Sequence, residues 1–263
     1  MALNSEGTAM VRDKSFGSCE PQGAERKPTE LVRTDQLVGQ GTSQPVVRPQ
    51  DFSLFHSQRA AVARLQYAAT QEASLAILCG PGGSGVSTVL SALSTNLQHV
   101  AHVVQIDLKT LETFSKLAPY SNSEALVFAI DNCHLASDCM LGSVSDAIWR
   151  QSPKASVVLG GRGRLLTLLA RDRGLLDKAL LRSVLHPFSL AETRAVVQSR
   201  LSGNGLFYSE RVPEVIHEVT AGIAENIFRL IGMAQLVGGG LPGRPIEVAD
   251  IEQIHERLYA AAA

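Results

Sequence analysis

Between an apolar run, Leu75-Ala76-Ile77-Leu78-Cys79, and a helix-forming stretch, Thr88 to Leu97, lies the segment Gly80-Pro81-Gly82-Gly83-Ser84-Gly85-Val86-Ser87. A strand that stops at a glycine, turns through a glycine-rich loop and enters a helix is the opening unit of a parallel sheet. Three further apolar runs predict strands at Val103–Leu108, Ala125–Ile130 and Ala155–Leu159. Each is apolar on both faces and separated from the next by helix-forming residues, which implies a parallel sheet covered on both sides. A helix of about four turns, carrying Ala60, Ala61, Ala63, Leu65, Ala68 and Ala69, precedes the first strand.

Beyond Ser189 the spacing becomes helical throughout, over Ala191–Leu201, Val212–Thr220, Glu225–Val237 and Val248–Leu258. Ser189 and Glu192 have the spacing of a capping box. Residues 1–50 mix Gly, Ser, Pro, Gln and Thr with charges that cancel, and read as a flexible leader. The expected organisation is therefore a leader (1–50), a three-layer α/β domain (51–188) and a small helical domain (189–263).

Composition narrows the function. With 24 Lys plus Arg against 25 Asp plus Glu, the chain does not grip nucleic acid by bulk charge. The stretch Arg162 to Arg182 is locally basic, and reads either as a face toward an acidic neighbour, nucleic acid or a nucleotide on the next subunit, or as a solvated amphipathic helix. No apolar run approaches the roughly 18 residues of a membrane span, and Met1–Lys14 lacks the apolar core of a secretory signal, so no membrane insertion and a cytoplasmic location are expected. Cys19, Cys79, Cys133 and Cys139 show no metal-binding spacing and read as structural thiols. His134 reads as a hydrogen-bonded structural residue, Trp149 as packing, and Gly238-Gly239-Gly240 as a flexible connection between the last helices.

The glycine loop carries the chemistry. Its glycines let successive N–H groups turn toward one anion, and the helix that follows sets its positive end there. Gly80, Gly85 and Ser87 match the phosphate-loop template, which makes Gly80, Pro81, Gly82, Gly83, Ser84, Gly85, Val86, Ser87 and Thr88 the candidate nucleotide-binding segment. The template's lysine is Val86, which brings neither charge nor donor. A plainer reading, a glycine turn that only lets helix and strand pack closely, stays open. The third strand leads into Asp131-Asn132, where an aspartate holds Mg²⁺ together with the loop hydroxyl; Asp131 and Ser87 are the candidate metal ligands. The residue after that aspartate is normally a carboxylate that deprotonates water, and Asn132 cannot take a proton.

In this order the motifs resemble the AAA+ P-loop ATPases, and among them the ExeA-like ATPases of general secretion pathways and their transposition-type relatives. The resemblance spans about residues 50–258 and includes Val157-Val158-Leu159-Gly160-Gly161, His186-Pro187-Phe188-Ser189 and Gly222-Ile223-Ala224-Glu225-Asn226. It implies a P-loop parallel sheet followed by a helical lid, ATP or ADP with Mg²⁺ as ligand, and protein partners or a homo-oligomer. It places Arg162 near the sensor position and Arg182 near an arginine finger. Where such proteins carry a Pro-Arg pair in the lid, this chain has Ala224-Glu225, which reverses the charge. Val86, Asn132 and Glu225 depart together, so the expectation is a nucleotide-binding module that has lost hydrolysis and serves a regulatory or scaffolding role. Two alternatives remain: a slow ATPase using Ser87, Asp131 and a substitute arginine, and an interaction protein that binds no nucleotide.

Overall fold

Strands that are apolar on both faces need cover on both faces, and the computed structural model provides it for the three inner strands; the predicted strand at Val103–Leu108 lies instead at the sheet's edge and is only partly buried. The structure describes residues 55–110, 125–239 and 243–260; the expected leader lies outside the described residues. Helix α1 (His56–Ala69) is followed by β1 (Leu75–Cys79), α2 (Val86–Leu97), β2 (His102–Asp107) and β3 (Leu126–Asp131). A 3-10 turn (Cys133–Leu135) then leads into α3 (Met140–Gln151), β4 (Ser156–Gly161), α4 (Arg164–Arg171), α5 (Arg173–Asp177) and β5 (Ala179–Val184). The strands are all parallel and lie in the order β2-β3-β4-β1-β5.

The two faces of the sheet divide the apolar residues by their period of two. Leu75, Ile77, Phe128, Ile130, Val157 and Leu159 pack with Leu141, Ile148, Leu165 and Leu169 of α3 and α4. Ala76, Leu78, Val127 and Val158 pack with Leu65 of α1 and Leu93 and Leu97 of α2. β1 is buried along its whole length. Each of these leucines and isoleucines contributes about 1.5–3 kcal/mol through burial, so the floor beneath the glycine loop is rigid.

The fifth strand corrects the sequence reading. The stretch from Arg162 to Arg182 is not one amphipathic helix but α4, α5 and most of β5. β5 pairs only with β1, at the sheet's edge, and exposes Leu180, Arg182 and Val184 in alternation. That half-buried pattern, rich in leucine and carrying a charge, resembles a helix face more than the buried runs of the other strands. The glycines expected to form a flexible connection also need correction, because α8 continues through Gly238 and Gly239. Trp149 packs against the sheet core and donates its indole N–H to the Ala155 carbonyl at 3.0 Å. Cys79 and Cys133 are buried, whereas Cys139 is exposed.

The remaining helices, α6 (Leu190–Leu201), α7 (Val212–Thr220), α8 (Ala224–Gly239) and α9 (Val248–Ala260), enclose a second core that includes Val196, Leu201, Ile216, Ile227, Ile231 and Ile251. The capping box at the start of α6 is present: Glu192 donates its N–H to Ser189 Oγ at 3.3 Å, and its Oε2 accepts the Ser189 N–H at 3.0 Å. Glu192 does more than cap. Its Oε1 accepts the Ser57 N–H at 3.0 Å, which joins the starts of α6 and α1. Phe55 and Phe188 pack beside that joint in a tilted arrangement, with ring centroids 4.9 Å apart.

Candidate functional site

The loop between β1 and α2 is held at both ends. Gly80 donates its N–H to the Gly161 carbonyl at 3.2 Å, and Ser84 donates to the Pro81 carbonyl at 3.1 Å. Gly83 (φ 78°) and Gly85 (φ 96°) occupy the left-handed region, where any side chain would be strained. A side chain at Gly85 would also strike Gln58, which is buried in α1 and donates its amide to the Ser84 carbonyl at 3.4 Å. Helix α2 begins at Val86, two residues earlier than its apolar pattern suggested, and no side chain caps it. The first amides of a helix have no intrahelical partner. Those of α2 therefore open into the cavity that the loop borders, together with the helix's positive end.

That cavity encloses about 580 Å³ at the carboxyl ends of the strands, within the range of small-molecule sites. It brings together Pro81, Gly83, Gly85, Val86, Ser87, Thr88, Asp131, Asn132 and Arg162 from the sequence-based candidates. Gly80, Gly82 and Ser84 belong to the same loop; Ser84 Oγ is buried and has no hydrogen-bond partner. Arg182 is elsewhere, exposed on β5, with its guanidinium donating to the Leu176 carbonyl at 3.2 Å.

Val86 lines the cavity at the end of the glycine loop. Its Cγ1 would touch a methyl placed on Gly160 at 3.2 Å, and its side chain packs against the α1–α2 face of the sheet. Val86 is an apolar contact here, not a charge at the cavity. A guanidinium stands close by instead: Arg162, immediately after β4, would approach a methyl on Gly82 to 3.3 Å.

Asp131 ends β3, and its Oδ1 accepts the Asn132 N–H at 2.6 Å. Asn132 is itself left-handed (φ 57°), a conformation that asparagine tolerates better than most residues. Its Nδ2 donates to Asp107 Oδ1 at 2.7 Å, and the Lys109 N–H donates to the same oxygen at 2.8 Å. Asp107 is the register partner of Asp131 on the neighbouring strand, so two carboxylates stand side by side at the cavity. His134 lines it as well, and here the sequence reading needs correcting, because its buried Nδ1 has no partner. Burial, and then the charge of Arg162, push its pKa below the ordinary histidine value, which keeps the ring neutral near pH 7.

The far wall comes from the lid. Glu225, in the first turn of α8, donates its N–H to the Gly83 carbonyl at 3.0 Å. A methyl on Gly83 would meet Glu225 Cβ and Oε2 at 2.9 Å each, so the carboxylate rests against the glycine loop. Glu225 also pairs with Arg229 at 2.9 Å. Phe55 and Phe228, 6.4 Å apart, complete an apolar end of the cavity. Asp107, Lys109, Gln58 and the two phenylalanines were not singled out by sequence. The strand ending at Asp107, next to the one ending at Asp131, was the available signal.

A five-stranded parallel sheet with its glycine loop after the buried inner strand β1, an aspartate ending β3 and a helical lid touching the loop is a specific combination. The chain has the AAA+ fold. The RuvB Holliday junction branch migration motor of Thermotoga maritima superposes with a TM-score of 0.54 and 16% identity, over 77% of this chain and 66% of that one. ORC2 of Aeropyrum pernix, solved in ADPNP and ADP complexes, superposes with a TM-score of 0.50 and 10% identity, over 76% of this chain and 66% of that one. This chain thus spans just under two thirds of the length of either AAA+ protein. No protein-family model matches the sequence, and no curated protein matches it. Among the described residues, no helix is long and apolar enough to cross a membrane.

Proposed function

We propose that the chain is an AAA+ nucleotide-binding module of ExeA-like type that holds ADP or ATP with Mg²⁺, has lost hydrolysis, and acts as a regulatory or scaffolding part of a larger assembly. The observation that carries this reading is the contrast within one cavity. The uncapped start of α2 and the glycine loop border it, while Val86 packs against the sheet and the residue after Asp131 is Asn132, an amide that takes no proton; we read the latter two as lost catalytic positions. The residues fit the ligand. The uncapped first turn of α2 would hold the phosphates, with Ser87 and Asp131 holding the metal and Phe55 and Phe228 offering an apolar surface to the base. Bound Mg²⁺ would supply charge neutralisation between phosphate oxygens and Asp131. The balance of 24 basic and 25 acidic residues favours protein partners or further copies of the chain over nucleic acid.

Isothermal titration with Mg·ADP and Mg·ATP, followed by a phosphate-release assay, tests the proposal. It expects binding that Asp131→Ala weakens, and no release above the Asp131→Ala background. Absence of binding would favour the interaction protein that needs no nucleotide.

One observation favours the slow ATPase as a second reading. Asp107 faces the same cavity, oriented by Asn132 and the Lys109 amide, and can accept a proton that Asn132 cannot. Arg162 offers the charge that Val86 lacks. Under this reading release is measurable and is abolished by Asp107→Asn as well as by Asp131→Ala.

A further inference from the structure

The cavity's charges are unusual for a site that takes a highly charged anion. Three carboxylates line it, Asp107, Asp131 and Glu225, against two cations, Lys109 and Arg162, while His134 is neutral near pH 7. The three acids are not equivalent. Asp131 lines the cavity with Ser87, and under the proposed function the two would hold a metal ion that offsets its charge. Asp107 accepts hydrogen bonds from Asn132 and from the Lys109 amide. Glu225 has neither arrangement. It belongs to the lid, its sole ion pair among the described residues is the exposed one with Arg229, and its carboxylate lies against Gly83 in the loop that would carry the phosphates. The Glu225 N–H bond to the Gly83 carbonyl fixes that approach, because it holds the first turn of α8 on the loop itself. The backbone bond holds Glu225 Cβ beside the loop, and the pair with Arg229 engages the other carboxylate oxygen.

We infer that Glu225 is a specificity-determining residue that makes the cradle select nucleoside diphosphates over triphosphates. The inference rests on the nucleotide-binding reading above. A third phosphate adds negative charge and length inside a cavity bounded by this carboxylate, and the lost lysine at Val86 leaves that charge less compensated. A diphosphate keeps the amide contacts of α2 and meets the repulsion less. The module would then sit in its diphosphate-bound state in the presence of both nucleotides.

The test is competitive and direct titration of the full chain with Mg·ADP and with the magnesium complex of a non-hydrolysable ATP analogue. The wild type is expected to bind the diphosphate about tenfold or more tightly, and Glu225→Gln, which keeps the backbone bond and the side-chain shape, to reduce the preference to within about threefold. Arg229→Gln removes the cation that partly neutralises Glu225 and is expected to widen the preference. If either variant misfolds, the wild type alone decides, because a charge-based preference must shrink as ionic strength rises. A wild-type preference for the triphosphate, a ratio unchanged in Glu225→Gln, or a ratio insensitive to salt would overturn the inference while leaving nucleotide binding intact. Failure of the wild type to bind either ligand would instead overturn the reading beneath it.

Discussion

The two walls of the cavity are built from different materials. One wall is backbone: the amides of the glycine loop and of the first turn of α2, set by glycine dihedrals and by the packing of α2 on the sheet. The other is side chain: Asp131, Asn132 and Asp107 at the strand ends, Arg162 after β4, and Glu225 on the lid. The two walls respond differently to substitution. Backbone amides stay in place under any change that preserves the turn, whereas side-chain chemistry changes with a single replacement; under the proposed function Val86 and Asn132 are such positions. Ligand binding and bond cleavage can therefore part company in one site.

The largest effect is expected from spoiling the backbone wall. Gly85→Val places a β-branched residue at φ 96° and against Gln58, and should weaken Mg·ADP binding by about 100-fold or more, as titration would measure. Circular dichroism would check that the sheet persists. A variant that binds normally would mean that the amides do not carry the ligand. Placing a charge at the cavity by Val86→Lys is expected to tighten binding of the ATP analogue by about tenfold, with no gain in phosphate release if Asn132 leaves the water without a base; a gain that Asp107→Asn removes would support the slow-ATPase reading. Arg162→Ala tests the substitute cation. About fivefold weaker binding is expected, since Arg162 is exposed and its charge is screened.

The smallest effect lies at the joint between α1 and α6. Glu192→Gln should cost about 1 kcal/mol, lowering the melting temperature by about 2–4 °C. Its pH dependence has a definite sign. Burial works against the Glu192 charge, but hydrogen bonds from the Ser57 and Ser189 amides outweigh it and hold the carboxyl below the ordinary glutamate range. A lowered folded-state value means that the contribution is complete above the unfolded-state pKa and disappears as pH falls through the folded one. Thermal melts of wild type and Glu192→Gln should thus differ at neutral pH and converge in acid.

The backbone wall was far more legible in the sequence than the side-chain wall. Gly80, Gly85 and Ser87 stand at fixed spacing between a buried strand and a helix, and local sequence alone dictates that turn. β1, β3 and β4 announce themselves as apolar runs because they are buried on both faces. β5 does not, because an edge strand keeps one face in water and alternates Leu180, Arg182 and Val184 outward. Asp107 was missed for a related reason. Its place at the cavity depends on lying beside Asp131 in the sheet, 24 residues away in sequence, and that adjacency is a product of strand order. His134 reverses the usual expectation for the same reason: whether Nδ1 finds a partner is decided by its neighbours in space, and it finds none.

Steady-state phosphate release from saturating Mg·ATP, measured on the wild-type chain alone beside Asp131→Ala and paired with titration of Mg·ADP, tests the central claim most directly. The account predicts that ADP binds and that both proteins release phosphate at the same background rate. Release by the wild type that Asp131→Ala abolishes would contradict it.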